Sequence, residues 1–470
     1  MNGFLQRCVL LACAATAPAP AAAGAPLPDA PAWLTPQSGG DATLAIANET
    51  AYARAIPTMP AEDLRKFAFG NRLFNTNWVA APASVDGFDG LGPLFNRVSC
   101  SACHIRDGRG RPPEHPGEPL ESMLVRVSIP GRGAHGGVRP VPHYGDQINE
   151  KALPGVPAEG RTVVSFRERG GRYPDGTKYS LLVPGYKIVD PGYGALPAKV
   201  LTSARVAAPV FGMGLLEAVP EAGILARADA TDADHDGISG RPNRVWDIQN
   251  QRVALGRFGW KANQPSLRQQ SASAAIGDIG LTTRLFPHEN IEAGQSAAAA
   301  TPTGSQGGQP EMKDEFFEKL AFYIQTLAVP AARHTDESRV RLGAQRFAQA
   351  GCTSCHAPTL TTGEYPEVPE LAHQTIHPFT DLLLHDMGKG LADGRPDFEA
   401  SGREWRTPPL WGIGLTSIVN RHTRFLHDGR ARSLEEAVLW HDGEARAARE
   451  RFMKLPLDER AALVGFLENL

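Results

Sequence analysis

Cysteine is scarce in this sequence, and none is left over for a structural disulfide. Only 6 of the 470 residues are Cys. Cys8 and Cys13 lie in an apolar N-terminal segment, and the other four fall within two short motifs, "CSACH" at 100–104 and "CTSCH" at 352–356. This distribution excludes a scaffold held together by disulfides and implies that both motif pairs serve another purpose.

An excess of charge of one sign is also absent. The chain has 48 Lys and Arg against 51 Asp and Glu, which gives a formal net charge of −3. Such a balance offers no electrostatic basis for binding nucleic acid or an anionic membrane surface. We therefore expect no nucleic acid partner.

No apolar run is long enough to span a bilayer. The N-terminal residues "MNGFLQRCVLLACAATAPAP" contain one basic residue, a short apolar stretch, and then small residues and prolines. This order predicts a signal peptide and linker over residues 1–31, with export to the periplasm. The stretch that ends at Cys13 also resembles a bacterial lipoprotein processing site, so a lipid anchor is an alternative prediction for this segment.

Aromatic residues make up only 7% of the chain, whereas 49 Gly and 39 Pro predict much turn-rich, irregular backbone. Internal similarity organises the rest: "APVFGMGLLEAV" resembles "PPLWGIGLTSIV", and "FFEKLAFYIQTL" resembles "ERAALVGFLENL". Each copy contains one Cys-x-x-Cys-His motif and ends in an amphipathic helix. A chain of 470 residues exceeds what one core usually organises, so we predict a tandem duplication with domains at 32–330 and 331–470.

The first half is longer than the second and predicts an insertion. Its runs "SMLVRVSI" and "RTVVSFRERG" alternate apolar and polar residues, which is typical of short strands. In the second half, "DESRVRLGAQRFAQAGCTSCH" predicts a helix that leads into the motif. The predicted fold is mainly α, with extensive loops and small β elements in the insertion.

The Cys-x-x-Cys-His motifs admit three chemical interpretations. A thioredoxin-like dithiol needs no His directly after the second Cys. Structural zinc would have to join pairs about 250 residues apart, each with a His adjacent to Cys, which suits a tetrahedral site poorly. Covalent haem accounts for every position, because two thiols on one turn reach both vinyl groups of a porphyrin and the next His binds the iron. We therefore predict two covalently bound haem c groups, attached at Cys100, Cys103, Cys352 and Cys355, with His104 and His356 as proximal ligands.

Several longer segments extend the comparison beyond the motifs. They include "FNRVSCSACHIRDGRGRPP", "PVFGMGLLEAVPE", "GRFGWKA", "PFTDLLLHDMGKGLADG" and "FLHDGRARSLEEAVLWHDGEA". Together these segments resemble the di-haem oxidoreductase branch of the bacterial di-haem cytochrome c peroxidase superfamily. The resemblance covers nearly the whole mature chain and implies two tandem cytochrome c-like domains.

The resemblance also implies a sixth ligand for the C-terminal haem. In the superfamily a Met or Tyr follows a short helix after an "HDG" turn, and His441 stands there in this chain. Two imidazoles on one iron give a lower potential than His with Met, because a thioether favours the ferrous state. Met387, Met453 and His427 are the rivals.

For the N-terminal haem, the resemblance implies an open iron with a glutamate as acid and base, and Glu217 is the nearest match. The "LEEQ" segment usual before that glutamate is absent. His115, His135 and His143 are alternatives that would close the iron instead. The superfamily also passes electrons between its haems through a tryptophan, for which Trp260 is the candidate.

Two polar features complete the predicted site. Asp232, Asp234 and Asp236 in "DATDADHDGISG" alternate as in a calcium loop, and the superfamily often holds calcium near its haems. Next to the first motif there are three arginines that could pair with haem propionates or form a docking rim. They are Arg106, Arg109 and Arg111.

The predicted function is a periplasmic di-haem peroxidase. A small cytochrome or cupredoxin would donate electrons at the C-terminal haem, and hydrogen peroxide or another small oxidant would be reduced at the N-terminal haem. A di-haem electron-transfer cytochrome without a catalytic site is one alternative. Oxidation of an organic or protein substrate is the other.

Overall fold

The computed structural model describes residues 30–85, 87–302 and 310–470. Almost all of the predicted signal segment, including Cys8 and Cys13, lies outside these residues. Within them, no helix combines the length and apolarity needed to cross a bilayer.

The helices and strands are short and alternate along the chain. The helices are α1 Leu64–Asn75, α2 Met213–Glu217, α3 Glu221–Leu225, α4 Leu267–Ala274, α5 Ser296–Ala299, α6 Asp314–Gln325, α7 Ser338–Gln349, α8 Gly388–Leu391, α9 Thr416–Val419, α10 Leu434–Trp440, α11 Arg446–Lys454 and α12 Leu457–Asn469. The strands are β1 Thr43–Leu44, β2 Leu94–Phe95, β3 Met123–Arg132, β4 Val138–Arg139, β5 Gln147–Ile148, β6 Lys151–Ala152, β7 Arg161–Arg172, β8 Lys178–Val189, β9 Leu201–Val206, β10 Arg244–Asp247, β11 Arg252–Leu255, β12 Val329–Pro330, β13 Leu360–Thr361, β14 Thr375–Ile376, β15 Leu384–Asp386 and β16 Glu404–Arg406.

The prediction of a mainly α fold is wrong. Helices account for 29% of the residues and strands for 19%, distributed over several small sheets. Strand β3 pairs with β4, β5 and β9 in a four-stranded sheet, and β7 pairs with β8 over twelve residues of each strand. One strand that the prediction missed is β8, where Pro184 and Gly185 interrupt the β pattern. A two-stranded ribbon has a free edge on each strand, so a residue without an N–H is tolerated there.

One helix crossing occurs twice. Helix α1 packs on α6, and α7 packs on α12. In each crossing a glycine lets two backbones approach closely: a Cβ on Gly70 would lie 2.2 Å from the carbonyl oxygen of Lys319, and one on Gly343 would lie 2.0 Å from that of Ala462. The two closing helices predicted from the repeat are α6 and α12, and each therefore packs on the helix that precedes its half's motif.

The repeated "FG" and "WG" segments interlock the two halves. A Cβ on Gly212 would lie 2.7 Å from the Trp411 ring, and one on Gly412 would lie 2.6 Å from the Phe211 ring. Both glycines have a positive φ of 69°, a conformation that favours Gly. Trp411 also belongs to the hydrophobic core around α1 and α6. The predicted boundary near residue 330 is thus crossed by packing, and the division into two haem domains stays a prediction.

We expect Gly343→Ala to lower the free energy of unfolding by about 2 kcal/mol or more, because the new methyl group would overlap a backbone carbonyl that cannot move aside. Denaturant titration of the purified protein would measure the change. Gly465 in α12 is the matched control, since a Cβ there meets nothing within 4 Å. Gly465→Ala should instead raise stability by about 0.5–1 kcal/mol through helix propensity, and equal losses in both variants would contradict the role of the crossing.

Candidate functional site

The two motifs adopt the same local structure. Each forms a 3-10 turn, at Cys100–Ala102 and Cys352–Ser354. In each turn the amide of the following His donates to the carbonyl of the first Cys at 2.9 Å. The two Cys and the His of each motif therefore occupy equivalent positions in the two halves.

The four motif thiols are poorly suited to redox or zinc chemistry. None of them forms a disulfide. Burial raises the pKa of the Cys100, Cys103 and Cys352 thiols to about 12, so little thiolate would exist at neutral pH. Among the residues of known placement, no Cys belongs to a group that could hold a metal ion. These properties favour neither a redox dithiol nor a zinc site, and covalent attachment of haem at these thiols stays a prediction.

A single cavity connects both motifs. Its volume is about 600 Å³, within the range of about 300–1,000 Å³ that is usual for cofactor sites. The predicted haem residues all line it: Cys100, Cys103, His104, Cys352, Cys355, His356, His441 and Trp260. The fold thus brings together residues that lie up to 341 positions apart between Cys100 and His441.

Three histidines that line this cavity bind the backbone through the same ring nitrogen, Nδ1. The Nδ1 atoms of His104, His356 and His441 lie 2.6, 2.9 and 2.7 Å from backbone carbonyl oxygens of Ala208, Phe379 and Ala437, respectively. A carbonyl only accepts, so Nδ1 carries the proton and Nε2 keeps its lone pair. Burial lowers the pKa of all three rings, which keeps them neutral as iron ligands require.

His356 and His441 are spaced as two ligands of one metal ion would be. Their ring centroids lie 6.5 Å apart. Two metal–nitrogen bonds of about 2 Å, together with two ring radii of about 1 Å, separate such centroids by about 6 Å. The residues present therefore fit an iron held between these rings.

Two of the three rivals of His441, His427 and Met387, also line the cavity. His427 stacks on Trp405 at a centroid distance of 3.7 Å, and burial lowers its pKa to about 3. Met387 lines the cavity as the residue before α8. Met453 packs against the hydrophobic core around α7 and α12. None of the three shows a pairing with His356 like that of His441.

Glu217 is not brought to the cavity wall. Its Oε1 accepts from the amide of Leu267 at 2.7 Å, at the start of α4. Its Oε2 accepts from Tyr365 Oη and from Gln325 Nε2. Glu217 therefore caps a helix and joins a buried hydrogen-bonded group, and its acid and base role stays a prediction. The loop histidines also lie elsewhere: His135 stacks on Trp246, His143 Nδ1 donates to the Ala293 carbonyl, and His115 lies in an exposed turn.

The short helices α4 and α10 belong to equivalent units. Each follows an isolated β-bridge, Phe258 with Gln264 and Phe425 with Ala431. Each then begins with a serine cap, since Ser266 accepts from an amide at 3.2 Å and Ser433 does so at 3.0 Å. All of these positions are related by a shift of 167 residues.

This equivalence identifies residues that sequence reasoning missed. One face of each helix lines the cavity. The α4 face consists of Leu267, Gln270, Ser271 and Ala274, and the corresponding α10 face consists of Leu434, Ala437, Val438 and His441. The position of His441, the predicted sixth ligand, is thus occupied by Ala274 in the first half. The sequence carried a signal for this equivalence, because "RF" and "SL" recur with the same spacing at 257–267 and 424–434.

The acidic loop differs in one member from the prediction. Ligand atoms of Asp229, Asp232 and Asp234 lie within 4.8 Å of one another. Asp236 instead accepts from the Ile238 amide at 2.8 Å through Oδ1. The spacing in the sequence identified the loop, but the fold of the chain brings Asp229 into the cluster.

Trp260 and Arg109 lie together in the wall. The Arg109 guanidinium lies 5.4 Å from the Trp260 ring centroid, and the indole Nε1 donates to the Val206 carbonyl at 2.8 Å. Arg109 Nε and Trp411 Nε1 are buried and find no hydrogen-bond acceptor in the described parts of the chain. Both residues line the cavity, so haem propionates would supply fitting acceptors. Arg106 and Arg111 form surface ion pairs with Glu49 and Glu114, respectively.

A family comparison bears on the same residues. A sequence profile of the family described as "Di-haem oxidoreductase, putative peroxidase" matches residues 34–128 and 136–470. The chain belongs to this family. The match includes both Cys-x-x-Cys-His motifs and His441, and it confirms the predicted family, two haems and an oxidoreductase. A search of curated proteins found no match.

We expect Glu217→Gln to lower the free energy of unfolding by about 1–2 kcal/mol. Glu217 accepts hydrogen bonds at two oxygens, and the Gln side chain offers only one. Thermal denaturation would measure the loss. The ferric haem spectrum should stay unchanged. Glu221→Gln, which removes only a half-exposed ion pair to Arg244, is the control and should cost less than about 0.5 kcal/mol.

Proposed function

We propose that this protein is an exported, periplasmic di-haem c peroxidase that reduces hydrogen peroxide with electrons from a small cytochrome or cupredoxin. The observation that carries the proposal is the contrast between Ala274 and His441 at equivalent positions of one repeated unit. A methyl side chain cannot ligate iron. The N-terminal haem would therefore keep a coordination position for substrate, while His356 and His441 would close the C-terminal haem and suit it to electron transfer.

The four motif cysteines would hold the two haems as thioethers, with His104 and His356 as proximal ligands and His441 as the sixth ligand of the second haem. When bound, the haems supply the redox chemistry, in which one peroxide takes up two electrons and two protons to give two waters. Trp260, in the wall between the motifs, is proposed to assist electron passage. Calcium is proposed at Asp229, Asp232 and Asp234.

The chain's own contribution at the open site is polar. Gln270 and Ser271 line the cavity where the second half has Ala437 and Val438. Gln264 Oε1 is buried there and has no partner among the residues whose placement is described. An amide and a hydroxyl at this position would orient peroxide by hydrogen bonds, a function that the apolar face of α10 does not need.

Asp278 is proposed as the carboxyl group that moves the proton. It lines the cavity just after α4, and its Oδ1 accepts from Gln147 Nε2 at 2.7 Å. Burial raises the pKa of this carboxyl, which brings it closer to the working pH of a general acid. In the proposed mechanism Asp278 takes a proton from the near oxygen of peroxide and returns it to the leaving oxygen. Glu217 does not line the cavity.

We expect the ferric protein to show one high-spin and one low-spin haem. Ala274→His should convert the first to low spin and reduce peroxide turnover at least tenfold, because the new imidazole would occupy the substrate position. His441→Ala should convert the second to high spin. EPR and optical spectra with haem quantification would measure both changes.

Ser273→His is the control for Ala274→His, since residue 273 is next in sequence but does not line the cavity. It should leave the spin states unchanged. Two low-spin haems in the parent protein, without peroxide turnover, would contradict a peroxidase and favour an electron-transfer cytochrome.

We expect Asp278→Asn to lower kcat for peroxide by about 10²–10⁴-fold, the usual contribution of a general acid and base. Haem content and spin states should be retained, because Asp278 is not an iron ligand in this proposal. Steady-state assays with a reduced cytochrome would measure the loss. If Asp278→Asn retained full turnover while Glu217→Gln lost it, the assignment of the two carboxyl groups would be reversed.

A further inference from the structure

The ribbon β7–β8 extends from the first half onto helix α10 of the second. At its base the Gly117 amide donates to the Val164 carbonyl at 3.1 Å, and the Thr162 amide donates to Glu150 Oε1 at 2.9 Å. Toward its tip, Tyr173 and Leu181 are buried in the hydrophobic core around α7 and α12. The ribbon therefore joins the first half to helix α10, whose last residue directly precedes His441.

The tip of the ribbon is held by a group of polar contacts. Tyr173 Oη donates to Glu435 Oε1 at 2.5 Å, within the first turn of α10. The Arg460 guanidinium lies 4.0 Å from the Tyr173 ring centroid and donates to Asp175 Oδ2 at 2.7 Å. Tyr173 and Arg460 are buried, whereas their acceptors Glu435 and Asp175 are exposed.

The middle of the ribbon also binds α10 directly. The Leu182 amide donates to Glu436 Oε1 at 2.6 Å. Arg432, just before the helix, donates to Glu168 Oε1 and to the Ser180 carbonyl, both at 2.9 Å. Backbone and side chains of both strands thus fix the N-terminal end of α10.

The last residue of α10, Trp440, is contacted by two arginines. The Arg169 guanidinium on β7 lies 4.6 Å from the indole ring, and that of Arg430 lies 4.7 Å away. Trp440 is 2% exposed and directly precedes His441. A contact from the ribbon therefore reaches the residue adjacent to the imidazole.

Helix α10 needs such external support. It has only seven residues, and a helix of two turns is not stable on its own in water. The hydrogen bond from His441 Nδ1 to the Ala437 carbonyl lies within this same segment. Any displacement of α10 would therefore carry the imidazole with it.

We propose that the ribbon β7–β8 is a brace that positions His441 opposite His356, with Tyr173 and Arg169 as its main positioning residues. The proposal rests on the proposed function, in which His441 is an iron ligand. In this proposal, a segment of the first half determines how tightly His441 is held as the sixth ligand of the second haem.

The test uses the full-length, haem-loaded protein with Tyr173→Phe, Arg169→Ala and their combination. Cyanide is added to the ferric protein, and EPR follows the loss of the low-spin signal of the haem with two imidazoles. We expect this loss to be about tenfold faster in the double variant, which corresponds to about 1.4 kcal/mol of lost support for the closed state. Arg167→Ala, on an exposed residue of the same strand, is the matched control and should leave the rate unchanged.

Circular dichroism and haem content would be measured on every variant, and Tyr173→Phe alone removes a single hydroxyl group from a ring that stays in place. If the parent protein shows two imidazoles on the second haem and the folded variants react with cyanide at the parent's rate, the brace is overturned and the proposed function is not. A parent without nitrogen as the sixth ligand would overturn both the brace and the proposed closed haem. Equal acceleration in Arg167→Ala would also overturn the brace.

Discussion

The hydrogen bond from an imidazole Nδ1–H to a backbone carbonyl is the interaction on which the rest of this site depends. It occurs at His104, His356 and His441. Because the carbonyls belong to the folded backbone, the direction of each Nε2 lone pair is fixed by the chain itself. The cavity is therefore organised for metal ligation by the protein.

Duplication followed by divergence explains how one architecture provides two different sites. The bridge, serine cap and short helix are the same in both halves. On the cavity face, His441 in one copy stands where Ala274 stands in the other. In the proposed function, one shared backbone supports a closed haem and an open one, since the chemistry depends on a few side chains rather than on the fold.

The two copies are not independent units in space. Gly212 and Gly412 each pack against an aromatic ring of the other half. The ribbon β7–β8 of the insertion also extends from the first half into the second, where Tyr173 is buried in the hydrophobic core around α7 and α12. Close packing of this kind places both motifs on one cavity.

Local patterns in the sequence determined the two haem motifs, the helices α6, α7 and α12, and the acidic loop, because each depends on residues close together along the chain. The strand content, the engagement of Glu217 at the start of α4 and the membership of Asp229 in the acidic group were decided only by tertiary structure. Each of these depends on contacts between distant segments, and a pattern of neighbouring residues does not encode which distant group a side chain will meet.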